Sequence, residues 1–121
     1  MGYGIRIRGR LVFSEPLPWE SVENSKYAYG RGDLEFINSL VPSGDGIAKF
    51  AVGLEDPVGE SFSRYHLEED LQDFVDAHPG IGFNGRLDLE GEEAGDLRRI
   101  KVIDGSVVTF EPKLVWPAES E

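Results

Sequence analysis

The segment EGEEAGDL at residues 90–97 places four carboxylates in one short connection: Glu90, Glu92, Glu93 and Asp96. Oxygen ligands at such spacing can hold calcium or magnesium, and paired carboxylates can act as acid and base if one of them is buried. The run does not match the EF-hand pattern, which needs acids at alternate positions and a distant glutamate. We interpret it as a charged loop whose glycines supply unusual backbone angles, with a contact or ligand role as the alternative.

A second group of acids follows a histidine at helical spacing. Glu69, Asp70 and Asp73 lie three, four and seven residues after His66, so on a helix they share a face with the imidazole, and Glu68 lies beside them. An imidazole and several carboxylates can converge on a cation. The segment lacks the second histidine of the HExxH metalloprotease motif. We therefore expect a solvated acidic helix surface and no metal site.

The remaining residue types argue against common catalytic machinery. Cysteine is absent, which excludes disulfides, thiolate metal sites and thiol catalysis. The chain has two histidines, His66 and His78, and no serine stands in the glycine pattern of a nucleophile elbow. No glycine-rich phosphate loop leads from a predicted strand into a helix. The sequence therefore predicts no catalytic residues and no cofactor.

Net charge is the most unusual bulk property of the chain. The 121 residues carry a formal charge of -11. Residues 1–50 contain six basic and six acidic residues, whereas residues 51–100 contain four and thirteen and therefore carry -9. Such a field repels nucleic acid and anionic membranes and attracts cations or basic proteins. We expect a solubilising surface or a contact with a basic protein partner, without direct binding to nucleic acid or membrane.

The amino-terminal segment predicts a strand. Apolar residues from Ile5 to Phe13 alternate with Arg6, Arg8 and Arg10, which is the period-two pattern of a strand with one buried face. This segment lacks the continuous apolar run of a secretory signal, and no stretch of the chain approaches the length of a membrane span. We therefore expect a cytoplasmic protein.

Prolines and glycines divide the first half of the chain. Pro16 and Pro18 predict the end of the first strand, and Pro18 favours a single helical turn after it. Residues 34–40 and 47–54 flank a turn sequence at 42–46, which predicts a hairpin. In the second strand of this hairpin, the residues expected to face the core are Ala48, Phe50, Val52 and Leu54.

Residues 64–77 predict an amphipathic helix. Its apolar residues fall at i, i+4, i+7 and i+8, which is the spacing of a stripe that faces a core. They are Leu67, Leu71, Phe74 and Val75. Pro79 and Gly80 end the helix.

Residues 80–116 predict three strands of an antiparallel meander. Asp104-Gly105 is a strong hairpin signal because a type I′ turn needs positive φ at both central positions. The first meander strand carries Asp88 and Glu90 on its polar face. If this strand neighbours the amino-terminal strand, the acids lie opposite the arginines, and each pair stabilises the sheet by roughly 0.2–1 kcal/mol.

Together these elements predict a single α+β domain over residues 1–121, with residues 118–121 as a frayed acidic tail. The predicted order is β-β-β-α-β-β-β. We expect one mostly antiparallel sheet with the amphipathic helix packed on one face.

Several short motifs, spread over nearly the full chain, are similar to those of one protein family. They are MGY at 1–3, PLPW at 16–19, YHL at 65–67, GRLD at 85–88, EGEEAGDL at 90–97 and LVWP at 114–117. With these motifs the chain resembles a family of small uncharacterised proteins of actinobacteria and their phages. The resemblance implies a cytoplasmic protein associated with mobile elements, and it transfers no catalytic residues.

Three functions are compatible with these observations. The first is a non-enzymatic acidic binding or accessory protein of a phage or mobile element that contacts a basic partner, with mimicry of nucleic acid as one specific form. Its predicted binding residues are the acids of the helix and of the connection at 90–96, namely Glu68, Glu69, Asp70, Asp73, Glu90, Glu92, Glu93 and Asp96. The second is a divalent-cation-dependent enzyme acting on phosphate esters through the carboxylates of residues 90–96 and His66. The third is a small virion or assembly component. The concentration of acid in residues 51–100 favours the first.

Overall fold

The computed structural model describes residues 4–28, 34–56, 61–62, 67–91 and 96–112. These residues form seven strands and two helices. The strands are β1 (Gly4–Pro18), β2 (Glu35–Ser43), β3 (Gly46–Glu55), β4 (Ser61–Phe62), β5 (Phe83–Gly91), β6 (Leu97–Ile103) and β7 (Ser106–Phe110). The helices are α1 (Trp19–Val22) and α2 (Leu67–Ala77).

The strands form one open antiparallel sheet. Hydrogen-bonded neighbours follow the order β2-β3-β1-β5-β6-β7, and the two-residue β4 pairs with the start of β1. Because β1 lies in the middle, it joins the β2–β3 hairpin to the meander of β5, β6 and β7. The fold is therefore of the predicted α+β class with a mostly antiparallel sheet. Its element order differs from the prediction by the short helix α1 and by β4.

Alternate residues of β1 face different surroundings. Ile7, Leu11 and Phe13 are buried, and the arginines between them are exposed on the other side of the sheet. β1 also pairs in register with β5, so Arg8 lies directly opposite Asp88. The conditional prediction that arginine and carboxylate oppose each other across these two strands is thereby confirmed.

Phe74 is the centre of an aromatic cluster that joins α2 to three strands. Its ring centroid lies 5.8 Å from that of Phe13 in β1, 5.7 Å from that of Phe36 in β2 and 6.1 Å from that of Phe83 in β5. The other buried residues of α2 are Leu67, Leu71 and Val75. Burying each large apolar side chain contributes roughly 1.5–3 kcal/mol, so this stripe is a major source of stability.

The side of the sheet opposite to α2 carries no helix in the described part of the chain, and we call it the uncovered face. All of its described side chains are exposed or half-buried. They include Glu35, Ile37, Glu55, Arg6, Arg8, Arg10, Val12, Asn84, Arg86, Asp88, Glu90, Leu97, Arg99, Lys101, Ile103, Ser106, Val108 and Phe110.

Gln72 connects α2 to the edge of the sheet at β7. Its side-chain nitrogen donates to the carbonyl of Gly105 at 3.0 Å, and its side-chain oxygen accepts from the amide of Val107 at 2.8 Å. An edge strand otherwise presents unpaired backbone groups to any strand that approaches it. Gln72 therefore supplies hydrogen-bond partners for two backbone groups near this edge, and it also fixes α2 to the turn between β6 and β7.

The prediction that β1 ends before its prolines is wrong. β1 continues through Pro16 to Pro18, and Leu17 pairs with Ala51 of β3. The pairing skips between Val12 and Leu17, so a local irregularity accommodates residues that cannot donate to a regular ladder. The predicted helical turn after Pro18 is confirmed as α1.

The predicted core face of β3 is also wrong in part. Ala51 and Leu54 are fully buried, whereas Phe50 and Val52 are half-buried. The reason is a bulge, because the paired residue of β3 changes from Gly53 to Ala51 over a single step of β2 and leaves Val52 as the extra residue. One inserted residue moves every following side chain to the other face of the strand.

The turn between β6 and β7 confirms the predicted hairpin signal. Asp104 has φ 52° and Gly105 has φ 81°, the two positive angles that a type I′ turn requires. Three other predictions concern residues outside those described: the helix start at 64–66, the third meander strand beyond 112 and the acidic tail at 118–121.

Replacing Phe74 with alanine is expected to lower the free energy of unfolding by about 3–5 kcal/mol, because the change leaves a cavity between α2 and the sheet. Urea denaturation followed by circular dichroism measures this. Leu40→Ala is the matched control: Leu40 is 63% exposed, and its loss should cost less than about 0.5 kcal/mol. Equal effects of the two changes would contradict the described packing of α2.

Gly85→Ala should be more destabilising than Gly105→Ala by at least about 1 kcal/mol, since it adds overpacking to an unfavourable backbone angle. Both glycines have positive φ, 100° and 81°. A Cβ at Gly85 would lie 2.4 Å from the carbonyl oxygen of Arg10 in the neighbouring strand, whereas a Cβ at Gly105 would meet nothing within 4 Å. Chemical denaturation of both variants measures the difference, and equal losses would contradict this close approach of β1 and β5.

Candidate functional site

The outer surface of α2, formed by Glu69, Asp73 and Asp76, is the most acidic exposed helix surface described. All three side chains are exposed, and the helix contains five acids and no basic residue. Residues at these positions share neighbouring faces of a helix because they lie four and three residues apart. This surface contains Glu69 and Asp73 of the predicted binding residues.

The other two predicted acids of α2 are engaged within the protein. Oε2 of Glu68 lies 3.1 Å from Nε of Arg98 in β6, and it also accepts a hydrogen bond from the hydroxyl of Thr109 at 3.4 Å. Asp70 forms an ion pair with Lys26, with Nζ and Oδ2 2.6 Å apart. These contacts attach α2 to the sheet and to the segment after α1, so Glu68 and Asp70 have a structural role.

The predicted carboxylate cluster of residues 90–96 is described in part. The amide of Gly91 donates to the carbonyl of Asp96 at 2.8 Å, which closes the connection between β5 and β6. Glu90 lies on the uncovered face, where Oε1 is 3.5 Å from Nη2 of Arg8. Glu92, Glu93 and His66 lie outside the described residues.

The structure therefore places Glu90 apart from the acids of α2. Glu90 points to the uncovered face, whereas α2 packs on the opposite side of the sheet. Among the residues that the structure describes, no three His, Cys, Asp or Glu side chains come close enough together to hold a metal ion.

A network of ion pairs on the uncovered face extends beyond what the sequence predicts. Arg99 donates two hydrogen bonds to Asp88, at 2.7 and 3.2 Å, and Arg86 approaches the same carboxylate at 3.3 Å. Arg10 lies 3.5 Å from Glu55 of β3. Polar residues at alternate positions of β5 and β6 indicate that these strands have a charged face. The partners of these residues depend on strand order, which one sequence does not reveal.

Asp88 is the carboxyl of this network that accepts hydrogen bonds from two arginines. Hydrogen bonds from Arg99 hold its pKa below the ordinary value of 3.8, partial burial opposes this, and Arg86 adds to the lowering. The same contact raises the pKa of Arg99. The pair is therefore charged at all physiological pH values, and it has no group poised for proton transfer near neutral pH.

A shallow hollow of about 430 Å³ opens on the uncovered face beside this network. Its apolar lining includes the two exposed residues Leu97 and Phe110. Its polar lining consists of three arginines and three acids, which are Arg8, Arg98, Arg99, Asp88, Glu90 and Glu111. Such a mixture of arginine and exposed apolar side chains is typical of protein contact surfaces.

The fold and the surfaces define a small α+β protein with charged surfaces on both sides of its sheet, and no catalytic centre is recognisable among the described residues. By sequence the chain belongs to DUF6205, a family of unknown function whose model matches residues 1–121. No curated protein and no solved structure matches the chain. In the described part of the chain, neither helix has the length and apolar character needed to cross a membrane.

Asp88→Asn should lower stability above pH 3.8, and the difference from the wild type should shrink as the pH falls. A carboxyl whose pKa is lowered by folding contributes stability above its unfolded pKa and loses it as the pH falls through the folded value. The loss at neutral pH should stay below about 1 kcal/mol because the pair is partly exposed. Urea denaturation at several pH values from about 6 to about 2 measures it.

Asp45→Asn is the control, because Asp45 is exposed in the tight turn between β2 and β3. A difference between Asp88→Asn and the wild type that stays constant down to pH 2 would show that the charge of Asp88 does not stabilise the sheet.

Proposed function

We propose that this protein is a non-enzymatic binding module that contacts a basic protein through the outer surface of α2. The observation that carries the proposal is the exposure of Glu69, Asp73 and Asp76 on a helix without basic residues. Lys26 and Arg98 pair with acids on the borders of this helix that face the rest of the protein. The exposed carboxylates of Asp73 and Asp76 contribute to a negative field on this surface, and an extended field of this kind accelerates and selects encounters with basic surfaces.

The wider setting of this proposal rests on the family resemblance. The motifs at residues 85–97 and 114–117 support an accessory protein of a phage or mobile element of actinobacteria, acting in the cytoplasm. A row of carboxylates on a helix can occupy a basic groove that normally binds phosphates, so mimicry of nucleic acid is one specific form of the proposal.

A charge-neutralised variant tests the proposal. Tagged wild type and the variant Glu69→Gln, Asp73→Asn, Asp76→Asn are used to retain proteins from an actinobacterial lysate at low salt and at about 0.5 M salt, where the Debye length is only about 4 Å. We expect the wild type to retain a basic protein at low salt and to lose it at high salt, and we expect the variant to retain none.

The matched control is Glu15→Gln, Glu20→Gln, Asp45→Asn, which removes three exposed acids outside α2. It should retain the same protein as the wild type. If the α2 variant retains that protein, or if retention is insensitive to salt, the proposed contact is wrong.

Calorimetric titration with calcium, magnesium and manganese tests the alternative of a cation-dependent enzyme. That alternative requires heat of cation binding, whereas the proposed binding module requires none.

A further inference from the structure

Four charged residues form one row across the uncovered face. In register, Glu35 of β2 pairs with Glu55 of β3. Glu55 pairs with Arg10 of β1, and Arg10 pairs with Arg86 of β5. Across four neighbouring strands the row therefore consists of two negative charges followed by two positive charges.

This order is unfavourable inside one molecule. Like charges directly opposite each other on neighbouring strands are destabilising, and the row contains two such pairs, Glu35 with Glu55 and Arg10 with Arg86. The ion pair between Arg10 and Glu55 in the middle of the row, with 3.5 Å between Nη2 and Oε1, offsets part of this repulsion. The arginine side chains remain 61% and 55% exposed, so they are accessible to an external partner.

We propose that the uncovered face binds the same face of a second copy of this chain. A two-fold axis parallel to the strands, between β3 and β1, places Glu35 of each copy opposite Arg86 of the other and Glu55 opposite Arg10. The row of two negative and two positive charges is thus complementary to itself. Two sheets packed in this way lie about 10 Å apart, with α2 of each copy on the outside.

The neighbouring row supplies apolar contact to the same interface. Ile37 of β2 pairs with Gly53 of β3, and Gly53 pairs with Val12 of β1. Cδ1 of Ile37 lies 3.1 Å from the place that a Cβ of Gly53 would occupy, so the Ile37 side chain covers the glycine. The same two-fold axis places Val12, which is 42% exposed, against Gly53 and Ile37 of the second copy.

Nucleic acid fits the face less well than a second copy, because its phosphates would meet as many acids as arginines in this row.

Two oppositely recharged chains test the proposal. One carries Arg10→Glu and Arg86→Glu, so its row is entirely negative, and the other carries Glu35→Arg and Glu55→Arg, so its row is entirely positive. Size-exclusion chromatography with light scattering is run at chain concentrations from about 1 to about 500 µM. This range includes weak dimers, because protein–protein interfaces can have dissociation constants as high as micromolar. We expect a wild-type dimer of twice 13.4 kDa at low salt, two monomeric variants and a 1:1 heterodimer in their mixture.

A control with the same charge change as Glu35→Arg with Glu55→Arg, placed outside the row, separates a local effect from a change in net charge. It is Glu20→Arg with Asp45→Arg, at exposed positions in α1 and in the turn between β2 and β3, and it should remain dimeric. Circular dichroism detects a recharged variant that fails to fold. In that case the milder variant Arg10→Gln with Arg86→Gln is used, and the proposal requires it to be a monomer.

A wild type that is monomeric over the full concentration range would overturn the proposal. So would recharged chains that still form homodimers, because the contact would then lie elsewhere. Since α2 lies on the opposite side of the sheet, dimer formation is independent of the proposed contact with a basic protein. Loss of the dimer leaves that contact intact, and loss of that contact leaves the dimer intact.

Discussion

The alternation of side chains along β1 is the constraint on which the rest of the structure depends. β1 lies in the middle of the sheet and pairs with β3 on one side and with β5 on the other. Its apolar residues must therefore meet α2, and its arginines must meet the polar side chains of both neighbours. A shift of one residue would reverse both faces, so the hydrophobic core and the charge pattern of the uncovered face are fixed by the same register.

This one-sided arrangement separates the acids of α2 from Glu90, the described acid at the start of the connection at 90–96. Phe74 fixes α2 to the buried side of β1, so the acids on the outside of this helix face solvent. Glu90 belongs to β5 and takes part in the charge network with the arginines of β1. Acids of the same type thus have different surroundings: those of the sheet contact arginines, those at the borders of α2 attach the helix, and those on its outside are exposed.

Much of the fold could be predicted from the sequence because it is encoded locally. The helical stripe from Leu67 to Val75 and the Asp104-Gly105 turn depend on residues close in the chain, and both are found. The prolines of β1 and the bulge at Val52 escaped prediction, because whether a strand tolerates an irregularity depends on the strand beside it.

The candidate surfaces were less accessible to sequence reasoning than the fold. Lys26 is 44 residues from Asp70 in sequence, and Arg98 is likewise far from Glu68, so nothing local identifies these pairs as internal. The row from Glu35 to Arg86 exists only because β1 lies between the hairpin and the meander. The sequence indicates which residues are charged, and the topology determines which of them pair with an opposite charge and which lie exposed at the surface.

The most direct test of this one-sided sheet is the reactivity of cysteines placed singly along β1, which is clean because the chain has no cysteine of its own. Ile7→Cys, Arg8→Cys, Leu11→Cys and Val12→Cys are each treated with a neutral alkylating reagent at high salt, where charged contacts between copies are screened. We predict that the thiols at 7 and 11 react at least about 100-fold more slowly than those at 8 and 12, since they react only after local opening. Equal rates at all four positions in the folded protein would contradict the account.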